Sequence, residues 1–181
     1  MPGTFPGRCD ACASDDPIDA TLTLGDYAEP FDRLVLRLKF AGRLPAAGWI
    51  ATQLAAQVRA SGCMPDLLVP VPLAPARLAE RGFNQAWEIA HPLARRLGVA
   101  ASPTLLARRR DTVSQRALDL SARQANLRDA FVVPDQHRLD GLHIGLVDDV
   151  MTTGATLREA ARVLKAHGAA RVTALPALRT P

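Results

Sequence analysis

The sequence predicts an α/β protein with a mostly parallel central sheet flanked by helices. Three observations carry this. Short apolar runs rich in Val, Ile and Leu alternate with helix-period patterns through the second half of the chain. The run 142–147, LHIGLV, is apolar almost throughout, as a strand covered on both faces must be. Directly after it, a loop of small residues leads into a helix whose apolar positions Leu157, Ala160, Ala161 and Leu164 fall at i, i+3, i+4 and i+7.

That stretch also carries the chemistry. The strand 142–147 ends in Asp148 and Asp149, and residues 151–155 turn the chain into the helix. The unpaired N–H groups of a helix's first turn, together with its dipole, favour an anion. Thr152, Thr153 and Thr156 add hydroxyls, and Gly154 lets backbone approach a ligand. Asp148 and Asp149 can accept hydrogen bonds from the vicinal hydroxyls of a sugar, or sit near a magnesium ion. A Walker-type phosphate loop is excluded, because no Gly-Lys-Ser/Thr follows the glycine.

The other elements follow in order. Residues 1–25 are rich in Gly, Pro, Asp and Thr and are expected as an N-terminal tail. The domain proper is expected over 26–181, opening with an amphipathic helix at 27–40 and a second helix at 45–60. The run 66–73, DLLVPVPL, reads as a strand ending in a Pro-rich loop, since proline cannot donate to a ladder. In the segment 74–85, Arg77 and Arg81 sit four apart and would face one way on a helical turn. Asn84 and Gln85 add amide donors, and the loop at Val71, Pro72 and Leu73 is expected to offer backbone N–H groups to pyrophosphate. A helix over 86–97 comes next. Leu105 and Leu106 are expected in a short strand, 131–133 in another, and 172–178 in the last. Between them, 108–128 is a polar, basic arm without glycine or proline, suited to a solvated surface or to contact with nucleic-acid phosphates. It contains no aromatic residue, which speaks against a single-strand stacking platform.

The totals set limits. A chain of 181 residues, 48% apolar and 22% charged, suits one globular domain. A net charge of +4 favours an anionic ligand and permits nucleic acid. No apolar run is long enough to span a membrane. The N-terminus lacks the pattern of a signal peptide, so a cytoplasmic location is expected. Of the three cysteines, Cys9 and Cys12 form half of a zinc ribbon, whereas a structural zinc wants four ligands. Cys63 lies far off, and the four histidines lack ligand spacing and are expected in structural or surface roles.

The run Val147-Asp148-Asp149-Val150-Met151-Thr152-Thr153-Gly154-Ala155-Thr156 closely resembles the phosphoribosyl pyrophosphate signature of type I phosphoribosyltransferases. Pro70-Val71-Pro72-Leu73, Arg81-Gly82-Phe83-Asn84-Gln85 and Lys39-Phe40 accompany it in the order seen in the ComF (GntX) family of that superfamily. Arg109 and Gln115 resemble the family's Arg/Thr/Gln pattern, with Thr112 one residue closer than usual, and Arg123 and Asn126 match further on. The resemblance implies a type I phosphoribosyltransferase-like fold. It implies that Asp148 and Asp149 face the ribose hydroxyls, with Val150, Met151, Thr152, Thr153, Gly154, Ala155 and Thr156 around the 5′-phosphate. Val71, Pro72, Leu73, Arg77, Arg81, Asn84 and Gln85 would meet pyrophosphate, with Arg81 catalytic beside the two aspartates. Arg109, Gln115 and Arg123 would close over it.

Magnesium is implied, carried mainly by the ligand near Asp148 and Asp149. Family members often hold zinc through two or more CxxC pairs; only Cys9 and Cys12 stand here, so the zinc set is incomplete. Two functions stay open at this point. One is a phosphoribosyltransferase acting on 5-phosphoribosyl 1-pyrophosphate. The other is a non-catalytic nucleotide-binding or DNA-uptake accessory, with nucleic acid or competence-machinery proteins as partners. A homodimer is a further expectation. No acceptor pocket is evident, although Tyr27 and Phe40 are candidates for a hood.

Overall fold

The computed structural model describes residues 16–29, 31, 33, 35, 44–108, 130–134 and 138–180. Within these, the elements are β1 (Ala20–Thr21), α1 (Leu44–Ser61), β2 (Leu67–Pro70), α2 (Pro75–Arg81), α3 (Gln85–Leu97), β3 (Ala100–Ala101), β4 (Ala107–Arg108), β5 (Phe131–Val132), β6 (His143–Met151), α4 (Ala155–Ala166) and β7 (Arg171–Arg179).

Five strands form one sheet in the order β1-β7-β6-β2-β3, and every pairing in it is parallel. The sheet is parallel because each strand return is made through a helix, α3 between β2 and β3 and α4 between β6 and β7. Helices then cover both faces, so the central strands must be apolar on both sides. Residues 172–178 of β7 are all buried, which leaves only its first and last arginines exposed. On one face, Ile144, Leu146, Val172 and Ala174 meet Leu157, Ala160, Ala161 and Leu164 of α4. On the other, Leu68, Val147 and Leu175 meet Ile50 and Leu54 of α1 and Ile89 and Leu93 of α3.

Gly145 shows how closely that second face is packed. A Cβ there would lie 2.5 Å from Leu68 Cδ2 and 3.1 Å from Leu175 Cδ1. The glycine is required by space and not by a special backbone angle.

The connections reverse direction at one place. From β2 the crossover through α3 moves outward to β3, and from β6 the crossover through α4 moves the opposite way to β7. β2 and β6 are neighbours, so a crevice opens between their C-terminal ends, where doubly wound sheets take ligands.

Three expectations change. The central strand continues past 147 to Met151, pairing with β7 as far as Arg179, so Asp148 and Asp149 lie within a strand and not after it. Leu105 and Leu106 are buried but belong to no strand; the pairing begins at Ala107, antiparallel to β5. The expected tail also contributes to the sheet, because β1 pairs parallel with β7 along its edge. Asp19 secures that edge, accepting from Val172 N–H at 2.7 Å and from Lys165 Nζ at 2.7 Å. Cys9 and Cys12 lie outside the described residues, as do Phe40, Arg109, Gln115 and Arg123.

Candidate functional site

The crevice is assembled from two sides. On the β6 side, Asp148 and Asp149 follow one another in the last half of the strand, beyond Ile144 and Leu146, which face α4, and Val147, which faces α1 and α3. Both aspartates are half-buried, and each is oriented by the next backbone amide: Asp148 Oδ1 accepts from Asp149 N–H at 2.8 Å, and Asp149 Oδ1 from Val150 N–H at 2.7 Å. This reduces the repulsion that neighbouring like charges would otherwise suffer.

Beyond Met151 the chain turns through exposed Thr152 and Thr153 to Gly154, whose φ of 76° is left-handed and favours glycine. Gly154 is the N-cap of α4 and supplies no side-chain cap, so the backbone amides of the first turn open onto the threonine loop. Thr153 Oγ1 reaches Ala155 N–H at 3.4 Å, and Thr156 is half-buried.

Arg158, which the sequence reading passed over, organises this loop. Its Nη1 donates to the Thr153 carbonyl at 2.8 Å and its Nε to Asp16 Oδ2 at 3.0 Å. A cation in the first turns of a helix opposes the dipole, and that mismatch was the available signal.

On the β2 side, the ladder continues one residue past Pro70, with Val71 N–H donating to the Val147 carbonyl at 2.8 Å. The expectation that Val71 offers this N–H to pyrophosphate is corrected: the amide is spent on β6, and Pro72 has none. α2 follows with Arg77 exposed and Arg81 half-buried at the same end of the sheet, and it stops at Gly82 with φ 77°. Asn84 then joins the two halves of the loop. Its Nδ2 donates to the Val71 carbonyl at 3.1 Å, while its Oδ1 accepts from Ala86 N–H at 3.0 Å and caps α3. Asn84, expected as a ligand contact, is placed to hold the loop. Gln85, next along, is 1% exposed.

The carboxylate oxygens of Asp148 and Asp149 are hard donors that suit magnesium. Magnesium is usually held through few protein carboxylates, so an ion beside them would take most of its ligands from a bound molecule and water. A groove of about 380 Å³, lined by Leu24, Phe31, Trp49, Gln53, Ala56, Gln57 and Ala60, runs along the outer side of α1. Neither aspartate lines it. Tyr27 packs partly buried against the core on that side. Among the described residues, no helix is long and apolar enough to cross a membrane.

A parallel sheet whose crossovers reverse at one point, with two aspartates and a glycine-turned helix start at that end, is an α/β fold of the doubly wound kind. The phosphoribosyl transferase domain model matches residues 84–177, and the chain belongs to that family, in its ComF branch. It is 38% identical over 171 residues to DNA utilization protein YhgH of Salmonella typhi, covering 92% of this chain and 74% of that one. Competence protein F of Haemophilus influenzae is 32% identical over 168 residues, covering 89% of this chain and 73% of that one. Among solved structures, glutamine phosphoribosylpyrophosphate amidotransferase from B. subtilis aligns with a TM-score of 0.48 at 18% identity, over 71% of this chain and 25% of that one.

Proposed function

We propose that the protein binds 5-phosphoribosyl 1-pyrophosphate with magnesium and transfers ribosyl phosphate to, or from, a nitrogenous acceptor. The observation that carries this reading is the convergence at the switch point. The β6 carboxylates, the Gly154 turn into α4 and the loop tied by Asn84 all lie at the carboxyl end of the neighbouring strands β2 and β6. Carboxylates suit a diol, helix-start amides suit a terminal phosphate, and arginines suit a pyrophosphate.

In the transfer, the bond from the ribose anomeric carbon to pyrophosphate breaks as one forms to the acceptor nitrogen, whose proton is released to solvent. Asp148 and Asp149 hold the ribose hydroxyls and stabilise positive charge on the ring. Arg81, with Arg77 beside it, stabilises the departing pyrophosphate. Magnesium, when bound, neutralises phosphate charge. Pre-organised groups of this kind supply electrostatic stabilisation where charge develops.

The experiment is pyrophosphate release from phosphoribosyl pyrophosphate across a panel of nucleobases. Release with one base, lost in Asp149→Asn, supports the reading. Absence of release with every base, together with no binding of phosphoribosyl pyrophosphate, rejects it.

A second reading draws on the names of the relatives, which concern DNA utilization and competence, and on the net positive charge. Here the fold keeps its ribose-phosphate crevice but serves as a nucleotide-binding or DNA-uptake accessory. Phosphoribosyl pyrophosphate binding without turnover, alongside tight and salt-dependent binding of single-stranded DNA, favours this reading over the first.

A further inference from the structure

Gln85 is 1% exposed, and neither its Oε1 nor its Nε2 has a hydrogen-bond partner among the described residues. A buried carboxamide with both ends unmet is costly, and native structures rarely leave one without a reason. Its neighbour shows the contrast, since both ends of the Asn84 amide are used within the fold.

The position of Gln85 supplies a reason. It is the first residue of the 13-residue helix α3. It heads the stripe Gln85, Ile89, Leu93, whose two apolar members pack with Val147 of β6. Helical side chains lean toward the helix N-terminus, so the amide is directed at the carboxyl end of the sheet. The start of a helix and an unmet buried amide thus lie together at the carboxyl end of the sheet, beside the crevice.

We propose that the Gln85 carboxamide reads the nitrogenous acceptor. It would pair with an edge that presents a hydrogen-bond acceptor and a donor side by side, as the amide or amidine edge of a purine or pyrimidine does. This rests on the phosphoribosyl-transfer reading and names its missing subsite. Phosphate and pyrophosphate only accept hydrogen bonds, so either would leave Oε1 unmet. The ribose diol has its own partners in Asp148 and Asp149 under that reading. A base edge satisfies both ends at once, and a site built to hydrogen-bond such an edge discriminates strongly against analogues that lack it.

The test compares the wild type with Gln85→Leu and Gln85→Met, each followed by thermal melting without ligand. Equilibrium binding is measured for phosphoribosyl pyrophosphate with magnesium, and for adenine, hypoxanthine, uracil and the edge-poor control benzimidazole. Both variants are expected to melt no lower than the wild type, because an apolar side chain removes an unmet buried amide. Affinity for phosphoribosyl pyrophosphate is expected to hold, while affinity for the preferred base falls by about tenfold or more and that for benzimidazole does not.

Three results overturn the proposal: melting lowered by several degrees in both variants with base affinity unchanged; loss of phosphoribosyl pyrophosphate affinity with base affinity intact; or a wild type that prefers no base over benzimidazole. A wild type that fails to bind phosphoribosyl pyrophosphate defeats the transfer reading instead, and is seen separately from the base measurements.

Discussion

Arg158 donates to the Thr153 carbonyl across 2.8 Å, tying the start of α4 to the loop that precedes it. The same side chain reaches Asp16 at 3.0 Å and so links the loop to the chain entering β1. Its side chain is nearly half exposed, so the ion pair itself is worth about 1 kcal/mol or less. Arg158→Ala is therefore expected to change melting little while weakening phosphoribosyl pyrophosphate binding by about tenfold, through loss of loop order. Calorimetric titration checks this. An unchanged affinity sinks the positioning role.

Asp149→Asn keeps the shape of the side chain and an acceptor oxygen for Val150 N–H, which the native Oδ1 meets at 2.7 Å. The fold is expected to persist while turnover falls by about a hundredfold or more, the usual consequence of losing one pre-organised electrostatic group. Arg81→Ala is expected to fall similarly. Turnover that survives both changes rejects the mechanism.

Asn84 is expected to matter to stability as well as to the site. Asn84→Ala removes the α3 cap and the tie to Val71, at a cost of about 2 kcal/mol in all. Asn84→Asp keeps the capping oxygen but loses the Nδ2 donor, so it is expected to recover roughly half of that loss. Urea denaturation of the three proteins decides between a joint role and a cap alone.

Gly145→Ala is expected to destabilise by about 1–3 kcal/mol, because its Cβ must displace Leu68 or Leu175 in a close-packed face. If the melting temperature is unchanged, the Leu68 and Leu175 side chains are less tightly held around Gly145 than the geometry shows.

His143 gives a pH dependence of known sign. Its Nδ1 meets the Met64 carbonyl at 2.9 Å and its Nε2 the Thr173 hydroxyl at 2.8 Å. Burial, with a smaller push from the Arg171 charge, lowers its pKa below 6.5, against the opposing effects of Met64, Asp66 and Asp19. The unfolded chain therefore binds the proton first. The neutral ring's contribution is complete above pH 6.5 and is lost as pH falls through the lower folded value. At Asp19, burial pushes the carboxyl upward, but hydrogen bonds from Lys165 and Val172 and the charges of Lys165 and Arg171 outweigh it. Its pKa falls below 3.8, so it acts in a more acid range. Melting followed from pH 8 to 5 is expected to fall below about 6.5 in the wild type and to lose that component in His143→Asn.

Much was legible in the chain itself. The apolar run before Asp148, the helix stripe at Leu157, Ala160, Ala161 and Leu164, and Gly154 as the turning point are local patterns, set by backbone sterics and by which faces must be buried. Periodicity also located α1, α3 and β2 to within a few residues. It could not show that residues 20–21 pair with β7, because two residues carry no period and the partner lies far along the chain. Nor could it show that Asp148 and Asp149 stay in a strand, since that depends on β7 remaining paired beside them through Arg179.

The sequence by itself determined the class of fold and the residue types at the carboxyl end of its sheet, because burial and turn chemistry are written in short-range patterns. Only the tertiary structure decided which of those residues hold the loop and which are left without a partner among the described residues. Asn84 and Gln85 are neighbouring amides that read alike in sequence. One is used up by Val71 and Ala86, and the other is buried without a partner among the described residues. That difference arises from long-range packing, which sets where a polar group can find a partner and where it cannot.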